Sequence, residues 1–262
     1  MPYHLATPQL AACHIQAATG LQAQKASNCL NPYARRFIRQ PMKTEVLVLG
    51  AGAAGMMCAI EAARRGRHVM VLDHARTAGE KIRISGGGRC NFTNRAVAAE
   101  RFLSANPRFA LSALRRFTPQ DFIGRVDRAG IAWHEKTLGQ LFCDGSARQI
   151  VDMLLGDMAD AGATLRLGCA VQSVAHDGMF QVVTDQGTIS ADSLVVATGG
   201  RSIPKMGATG LGYQIAEGFG LPLRPTRPGL VPLTFSEQDL AAWKHLAGLS
   251  VTARVGHGKT GE

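Results

Sequence analysis

Four consecutive apolar residues, Val46 to Leu49, open the most regular stretch of the chain, EVLVLGAGAAGMMCAIEAARRGRHVMVLDHARTAGEKIRISGGGRCNFTN (Glu45 to Asn94). Such a run predicts a parallel strand buried on both faces. After a glycine-rich turn, the Ala- and Met-dense segment from Ala53 to Arg65 predicts a helix, stopped by Gly66, a residue suited to the left-handed turn past a helix end. A second apolar run, Val69 to Leu72, predicts the next buried strand and ends in Asp73.

Downstream the pattern loosens. Ala96 to Ala129 predicts helix, interrupted at Pro107 and again at Thr118-Pro119, where Thr118 is placed to cap a helix starting at Pro119. Ile131 to His134 and Gln140 to Cys143 predict short strands. Leu154, Leu155, Met158 and Ala161 give an apolar face to a helix over 147–161, with Asp144 or Ser146 as N-cap and Gly162 past its end. Thr164 to Leu167 predicts a further strand. Val171 to Val196, punctuated by His176-Asp177-Gly178 and Asp185-Gln186-Gly187, predicts a β-meander whose last strand, Ser193 to Val196, runs into Ala197-Thr198-Gly199-Gly200. Beyond it, five prolines from Pro204 to Pro232 predict a domain crossover with short strands.

The glycines after the first strand add chemistry. Gly50, Gly52 and Gly55 stand at G-x-G-x-x-G spacing. The first permits a tight turn, the second leaves room for a pyrophosphate, and the third lets helix and strand approach. The free N–H groups and positive dipole end of the helix would face the phosphates. Asp73, about 20 residues on, stands where an acid accepts hydrogen bonds from an adenosine ribose. An acid there favours a free ribose diol, as in FAD or NAD, while Arg76 leaves a 2′-phosphate open. The motif alone does not choose between FAD and NAD.

Composition bounds the rest. With 46% hydrophobic and 18% charged residues the chain is globular, and no apolar run reaches the ~18 residues of a membrane span. The net charge is +10. It suits an anionic cofactor and makes nucleic acid conceivable, but the interleaved basic and aromatic residues of an RNA-binding surface are missing from the pattern. A small-molecule substrate and no membrane partner are therefore expected. The six cysteines (Cys13, Cys29, Cys58, Cys90, Cys143, Cys169) show neither C-x-x-C nor zinc spacing, and the histidines form no H-x-x-x-H. No metal is expected, and reduced cytoplasmic thiols fit best.

Residues 1–42 contain Lys25, Arg35, Arg36 and Arg39 but no acid, and sustain no helix or strand period. Three readings stand: an upstream start assigned in place of Met42, a flexible native arm, or an Arg-rich organellar presequence.

Three segments narrow the cofactor. GEKIRISGGGRCNFTN (Gly79 to Asn94), ATGGRSIPKMGATGLGYQIAEGFG (Ala197 to Gly220) and RPGLVPL (Arg227 to Leu233) resemble the BaiN/RdsA-like NAD(P)/FAD-dependent oxidoreductases, also called aminoacetone oxidase family FAD-binding enzymes. The resemblance spans about Thr44 to Ser250. It implies an α/β fold: a glutathione-reductase-like, Rossmann-type FAD-binding domain with a β-meander over 43–204, then the beginning of an inserted β-rich second domain over 205–262. It moves the cofactor to FAD, with NAD(P)H as a transient electron donor, and implies an FAD-dependent oxidoreductase transferring hydride to or from an organic substrate. Position by position, it makes Gly50, Ala51, Gly52, Ala54 and Gly55 the pyrophosphate turn and Asp73 the ribose ligand. Lys81, Ser85, Gly86, Gly87, Gly88, Arg89, Cys90 and Asn91 would wrap the flavin side. Val171 would offer backbone to adenine, and Thr198, Gly199 and Gly200 would close over the pyrophosphate. The three glycines suit a nest of backbone donors, and Arg89 adds fixed charge. The family pattern has an acid within the stretch matching Thr209 to Gly212, where Leu211 stands here. It also continues past the point matching Glu262, which implies a fragment or an interrupted gene and a non-catalytic or degenerate flavin-binding chain as the alternative function. An RNA-directed flavoprotein, drawn from the +10 charge and the fold shared with tRNA-modifying flavoproteins, stands third.

No residue stands out as an acid or base, which suits chemistry carried by a flavin. Cys90, beside Arg89, is the one catalytic candidate, as a thiol of lowered pKa; the competing role is a small residue filling space under the glycine loop. His134 has no visible partner, and Lys205 is a solvated loop lysine or a substrate contact.

Overall fold

The computed structural model describes residues 13–14, 42–102, 104–203, 207–228, 234–246, 256–257 and 260–261. The expectations for residues 1–12 and 15–41, and that for Lys205, lie outside them. Strand β1 (Cys13–His14) pairs antiparallel with Val195 and Val196. Strand β2 (Met42–Leu49) is the central element: it begins four residues earlier than the apolar run predicts, and its Leu47, Val48 and Leu49 are fully buried. Helix α1 (Ala53–Arg64) returns the chain to β3 (Val69–Leu72), which lies parallel to β2 in the register Val46↔Val69 through Leu49↔Leu72.

Helix α2 (Glu80–Ile84) leads through the Ser85–Gly88 turn into β4 (Asn91–Asn94). Helices α3 (Leu111–Arg116) and α4 (Pro119–Arg128) follow. The helix expected across 96–110 is reduced to a single 3-10 turn, Ala99–Arg101. The reason is local: Ser104 Oγ accepts from the Asn106 backbone N–H at 3.1 Å, and Asn106 Oδ1 accepts from that of Arg108 at 3.2 Å. Such side chains offer the backbone partners that compete with a helix. By contrast, the cap expected at Thr118 is present as a full capping box with Asp121.

Strands β5 (Trp133–Glu135) and β6 (Gln140–Cys143) form an antiparallel sheet with β4, in the order β4-β6-β5. Helix α5 (Arg148–Asp160) starts one residue later than expected. Its geometric N-cap is Ala147, yet Ser146 does the capping chemistry, accepting from Arg148 N–H at 3.3 Å while its own N–H donates to Gln149 at 3.2 Å. Strand β7 (Thr164–Arg166) joins β3 in parallel. Then β8 (Val171–Asp177), β9 (Met179–Thr184) and β10 (Gly187–Val196) form the expected meander. The large sheet runs β7-β3-β2-β10-β9-β8, parallel from β7 to β10 and antiparallel beyond.

This sheet buries both faces, as its apolar strands require. Val48, Val69 and Val71 pack with Met56 and Ile60 of α1 and Leu154 and Met158 of α5. Leu47, Leu49, Leu72 and Leu194 pack on the other side with Phe180 and Ile215. Ile215 comes from α6 (Leu211–Gly218), a helix where short strands are expected; burying Ile215 beside Leu211 and Phe219 gives it an apolar footing that the proline pattern does not reveal.

The described residues from Arg224 onward belong to a second compact unit. In it, Ser236 Oγ accepts from Asp239 N–H at 3.2 Å to cap α7 (Glu237–Trp243), and Phe235 meets Trp243 edge-on with ring centroids 4.9 Å apart. Its β11 (Gly256–His257) and β12 (Thr260–Gly261) pair antiparallel.

Candidate cofactor-binding site

The ends of β2, β3 and β10 meet at the first glycine turn. Gly50 has φ +108° and donates its N–H to Leu72 O at 2.7 Å. A Cβ on it would run into the carbonyl of Ala197 at the end of β10, and one on Gly55 would run into the carbonyl of Gly50. Gly52 differs. It caps α1 with ordinary extended backbone, and a Cβ there would meet nothing within 4 Å. No side chain caps the first turn of α1, so its amides are left for something else to satisfy. Ala51 is fully buried, and its N–H donates to Asp73 Oδ2 at 2.6 Å.

Asp73 therefore shapes the turn before it touches any ligand. Its Oδ1 accepts from Ala75 N–H at 2.9 Å, and a carboxylate has about four lone-pair sites, so acceptor capacity remains for a diol. A concavity opens beside it, lined by Leu49, Gly50, Asp73, Val171, Thr198 and Leu211, with Leu72, His74, Cys169 and Thr209 completing the wall. Four residues of the expected site, Gly50, Asp73, Val171 and Thr198, thus converge on one hollow. Leu211 replaces the expected acid with an apolar wall. Sequence reading missed His74 and Cys169; each lies two residues from a predicted strand end, which is the only signal either gives.

The second glycine run sits on the β4-β6-β5 sheet. Gly86, Gly87 and Gly88 take φ values of +59°, +67° and +85°, a left-handed succession that side-chain-bearing residues rarely adopt. A Cβ on Gly86 would come 2.7 Å from the Phe142 ring, whereas one on Gly87 would meet nothing within 4 Å. The loop is strapped down by Ala147 N–H donating to Gly88 O at 2.7 Å and Cys143 N–H to Arg89 O at 2.9 Å. Arg89 is exposed. Asn91 ends the run with its Oδ1 buried and unpartnered among the described residues. A buried acceptor left unpaired costs about 1–3 kcal/mol, so that oxygen is poised for a donor the chain itself does not supply.

Lys81 joins the two halves rather than reaching outward. Its Nζ donates to Gly200 O at 3.1 Å and to Ser202 Oγ at 2.9 Å, tying α2 to the loop after β10. Partial burial pushes its ammonium pKa down. Gly199, at φ +77°, shapes that loop, and Gly212 must be small because a Cβ there would lie 2.7 Å from Thr198 Oγ1.

Cys90 departs from expectation. It is 4% exposed, and burial pushes its thiol pKa up; a hydrogen bond with Ser85 only partly offsets this. Arg89 does not activate it. Cys143, distant in sequence, is a charge neighbour of Cys90; its own thiol is pushed up to about 12, by burial first and then by Cys90. Both thiols are protonated packing groups at neutral pH. His134 also has the partner its sequence did not show: Asp144 Oδ1 lies 2.6 Å from its Nδ1, and its ring stacks on Phe142 with centroids 6.2 Å apart.

The residues present fit a dinucleotide. A turn too tight for any side chain adjoins a helix end with no side-chain cap, an open cradle at Gly52 and an orphaned acceptor at Asn91. Among the described residues, no helix is long and apolar enough to cross a membrane.

Comparison with known proteins agrees with this geometry. The chain is 51% identical over 212 residues to the ribosomal RNA dihydrouridine synthase of Escherichia coli, covering 80% of this chain and 53% of that protein. It is 46% identical over 212 residues to the protein of the same name from Haemophilus influenzae, covering 79% and 52%. A 3-dehydro-bile acid delta(4,6)-reductase of Clostridium scindens is 28% identical over 213 residues, covering 79% and 51%. The chain spans about half the length of these relatives. The family profile described as HI0933-like protein Rossmann domain matches residues 44–255. The chain belongs to this HI0933-like family, and its Rossmann-type domain is an FAD-binding one.

Proposed function

We propose that the chain supplies the adenosine- and pyrophosphate-holding part of an FAD-dependent reductase acting on a pyrimidine base of ribosomal RNA. The 51% identity to a ribosomal RNA dihydrouridine synthase over 212 residues carries this reading. It takes up the third reading, the RNA-directed flavoprotein, in place of the small-molecule substrate expected first.

The residues divide the work as follows. Gly50, Ala51, Gly52, Ala54 and Gly55 present the N-terminal amides of α1 to the pyrophosphate. Asp73 accepts from the ribose diol while holding Ala51, and Val171 borders the adenine. Thr198, Gly199 and Gly200, held by Lys81, close over the phosphates. Ser85, Gly86, Gly87, Gly88, Arg89 and Asn91 face the flavin side, with Cys90 as packing beneath. When bound, FAD supplies hydride chemistry that no side chain here can perform. Converting uridine to dihydrouridine takes one hydride and one proton, with NAD(P)H as the proposed hydride source.

The test has two stages. The purified 262-residue chain should show flavin absorption or gain it on adding FAD, and NAD(P)H should bleach that band under anaerobic conditions. A strain lacking the gene should then lose dihydrouridine from its ribosomal RNA, read by nucleoside mass spectrometry, and regain it with the gene restored. Failure to take up FAD would sink the cofactor assignment; unchanged dihydrouridine would sink the substrate.

A further inference from the structure

A second hollow shares no residue with the cofactor concavity. It is lined by Arg108, Leu111, Ser112, Arg115 and Arg116. Three guanidinium groups border it, and no acid is among its lining residues. Helix α3 itself reads LSALRR and carries no acid. Among the described residues, none of these three arginines enters a salt bridge.

Helix electrostatics explains only part of this. Arg115 and Arg116 occupy the last turn of α3, where cations interact favourably with the helix dipole. Arg108 precedes the first turn, where a cation is on the unfavourable side. Clustered like charge works against the compact state, so the third arginine contributes nothing to the fold that this geometry shows. Next to it Phe109 stands 76% exposed, the most exposed large apolar side chain among the described residues.

We propose that this hollow is a docking surface for single-stranded RNA, with Arg108, Arg115 and Arg116 on the phosphates and Phe109 stacking on an unpaired base. Planar guanidinium forks match phosphate oxygens. Phe109, next to Arg108 in the chain though not itself a lining residue of the hollow, adds the exposed aromatic face that single-strand binders combine with a basic groove. An acidic peptide would satisfy the arginines but lacks bases to stack on Phe109. The choice of RNA among polyanions rests on the function proposed above.

Fluorescence anisotropy with a labelled single-stranded RNA of mixed sequence, titrated across salt, tests it. Three phosphates released from counterions give a log–log salt slope of about −2. The combined R108Q, R115Q and R116Q variant should lose that slope, and the corresponding triple lysine variant should keep it. Phe109→Ala should weaken binding about tenfold at fixed salt with the slope intact. FAD uptake should match the parent in every variant. A glutamine variant that keeps the parent's slope and affinity overturns the proposal. So does poly-glutamate competing as well as RNA of equal charge with Phe109→Ala silent, which assigns the surface to an acidic protein. A parent chain that takes up FAD but ignores RNA overturns the surface alone; one that binds RNA but no FAD overturns the cofactor assignment alone.

Discussion

Within each of the two glycine runs the same residue serves opposite reasons. Gly50 and Gly55 are small because other parts of the chain already fill the space: the carbonyl of Ala197 blocks the first, and the carbonyl of Gly50 blocks the second. Gly52 and Gly87 are small beside empty space, since a Cβ on either would meet nothing within 4 Å. Glycines of the first kind are explained by the fold. Those of the second kind are not, at least sterically, and for Gly52, whose backbone is ordinary, a ligand is the remaining physical reason. The spacing G-x-G-x-x-G mixes both kinds, and only the structure separates them.

The sharpest way to break this distinction is to add a methyl group at each kind. Gly55→Ala should destabilise the chain by about 3 kcal/mol through overpacking against backbone that cannot move aside. Gly50→Ala should do at least as much, because its φ of +108° adds strain. Urea unfolding of the ligand-free chain reads both. Near-parental stability for Gly55→Ala would mean that α1 can back away from β2.

The next largest effect separates packing from chemistry in the second run. The Cys143 thiol is held at about 12 in the folded chain, by burial and by Cys90 beside it, against an ordinary value of 9.0. A raised pKa means that above the ordinary value the unfolded chain has lost a proton the folded chain keeps. Its contribution to stability is therefore complete below pH 9 and is lost as the pH climbs from 9 toward 12. Stability measured by urea unfolding should fall across that window, and Cys143→Ala should flatten the decline. Reaction of Cys90 or Cys143 with a thiol reagent at neutral pH, at the rate of a free cysteine, would show instead that the run harbours an active thiolate.

Much of the cofactor half was legible in the sequence because its signals are local. Unbroken apolar runs made β2 and β3 readable, Gly66 and Gly162 ended helices where their positive φ allows it, and Thr118 capped α4. What stayed hidden depends on residues far apart in the chain. Lys81 bonds the loop carrying Gly200 and Ser202, more than a hundred positions on. Cys143 neighbours Cys90, and Asp144 reaches His134, only because β6 lies between β4 and β5. The overestimated helix before α3 failed for another reason: Ser104 and Asn106 divert the backbone locally, and a period-based reading passes over such side-chain competition.

Gly52→Ala probes the open kind of glycine. With extended backbone and free space it should change ligand-free stability by less than about 1 kcal/mol. FAD affinity should nevertheless fall at least tenfold, since the new methyl group occupies the approach to the α1 amides. Equilibrium dialysis against FAD gives the affinity. Equal affinity in parent and variant would place the pyrophosphate elsewhere.

The smallest effect is expected at Asn91, and it has two signs. In the ligand-free chain its buried Oδ1 has no partner among the described residues, so the group carries a desolvation cost with no return. Asn91→Leu, similar in shape and apolar, should therefore leave ligand-free stability unchanged or raise it by about 1 kcal/mol. The same change should shrink the stabilisation gained on adding FAD, because the acceptor that a flavin-side donor would meet is gone. Thermal unfolding with and without FAD reads both quantities from one pair of proteins. If Asn91→Leu weakens the ligand-free chain and leaves the FAD-induced shift intact, the oxygen serves the fold, and the second glycine run then belongs with Gly50 and Gly55 rather than with Gly52.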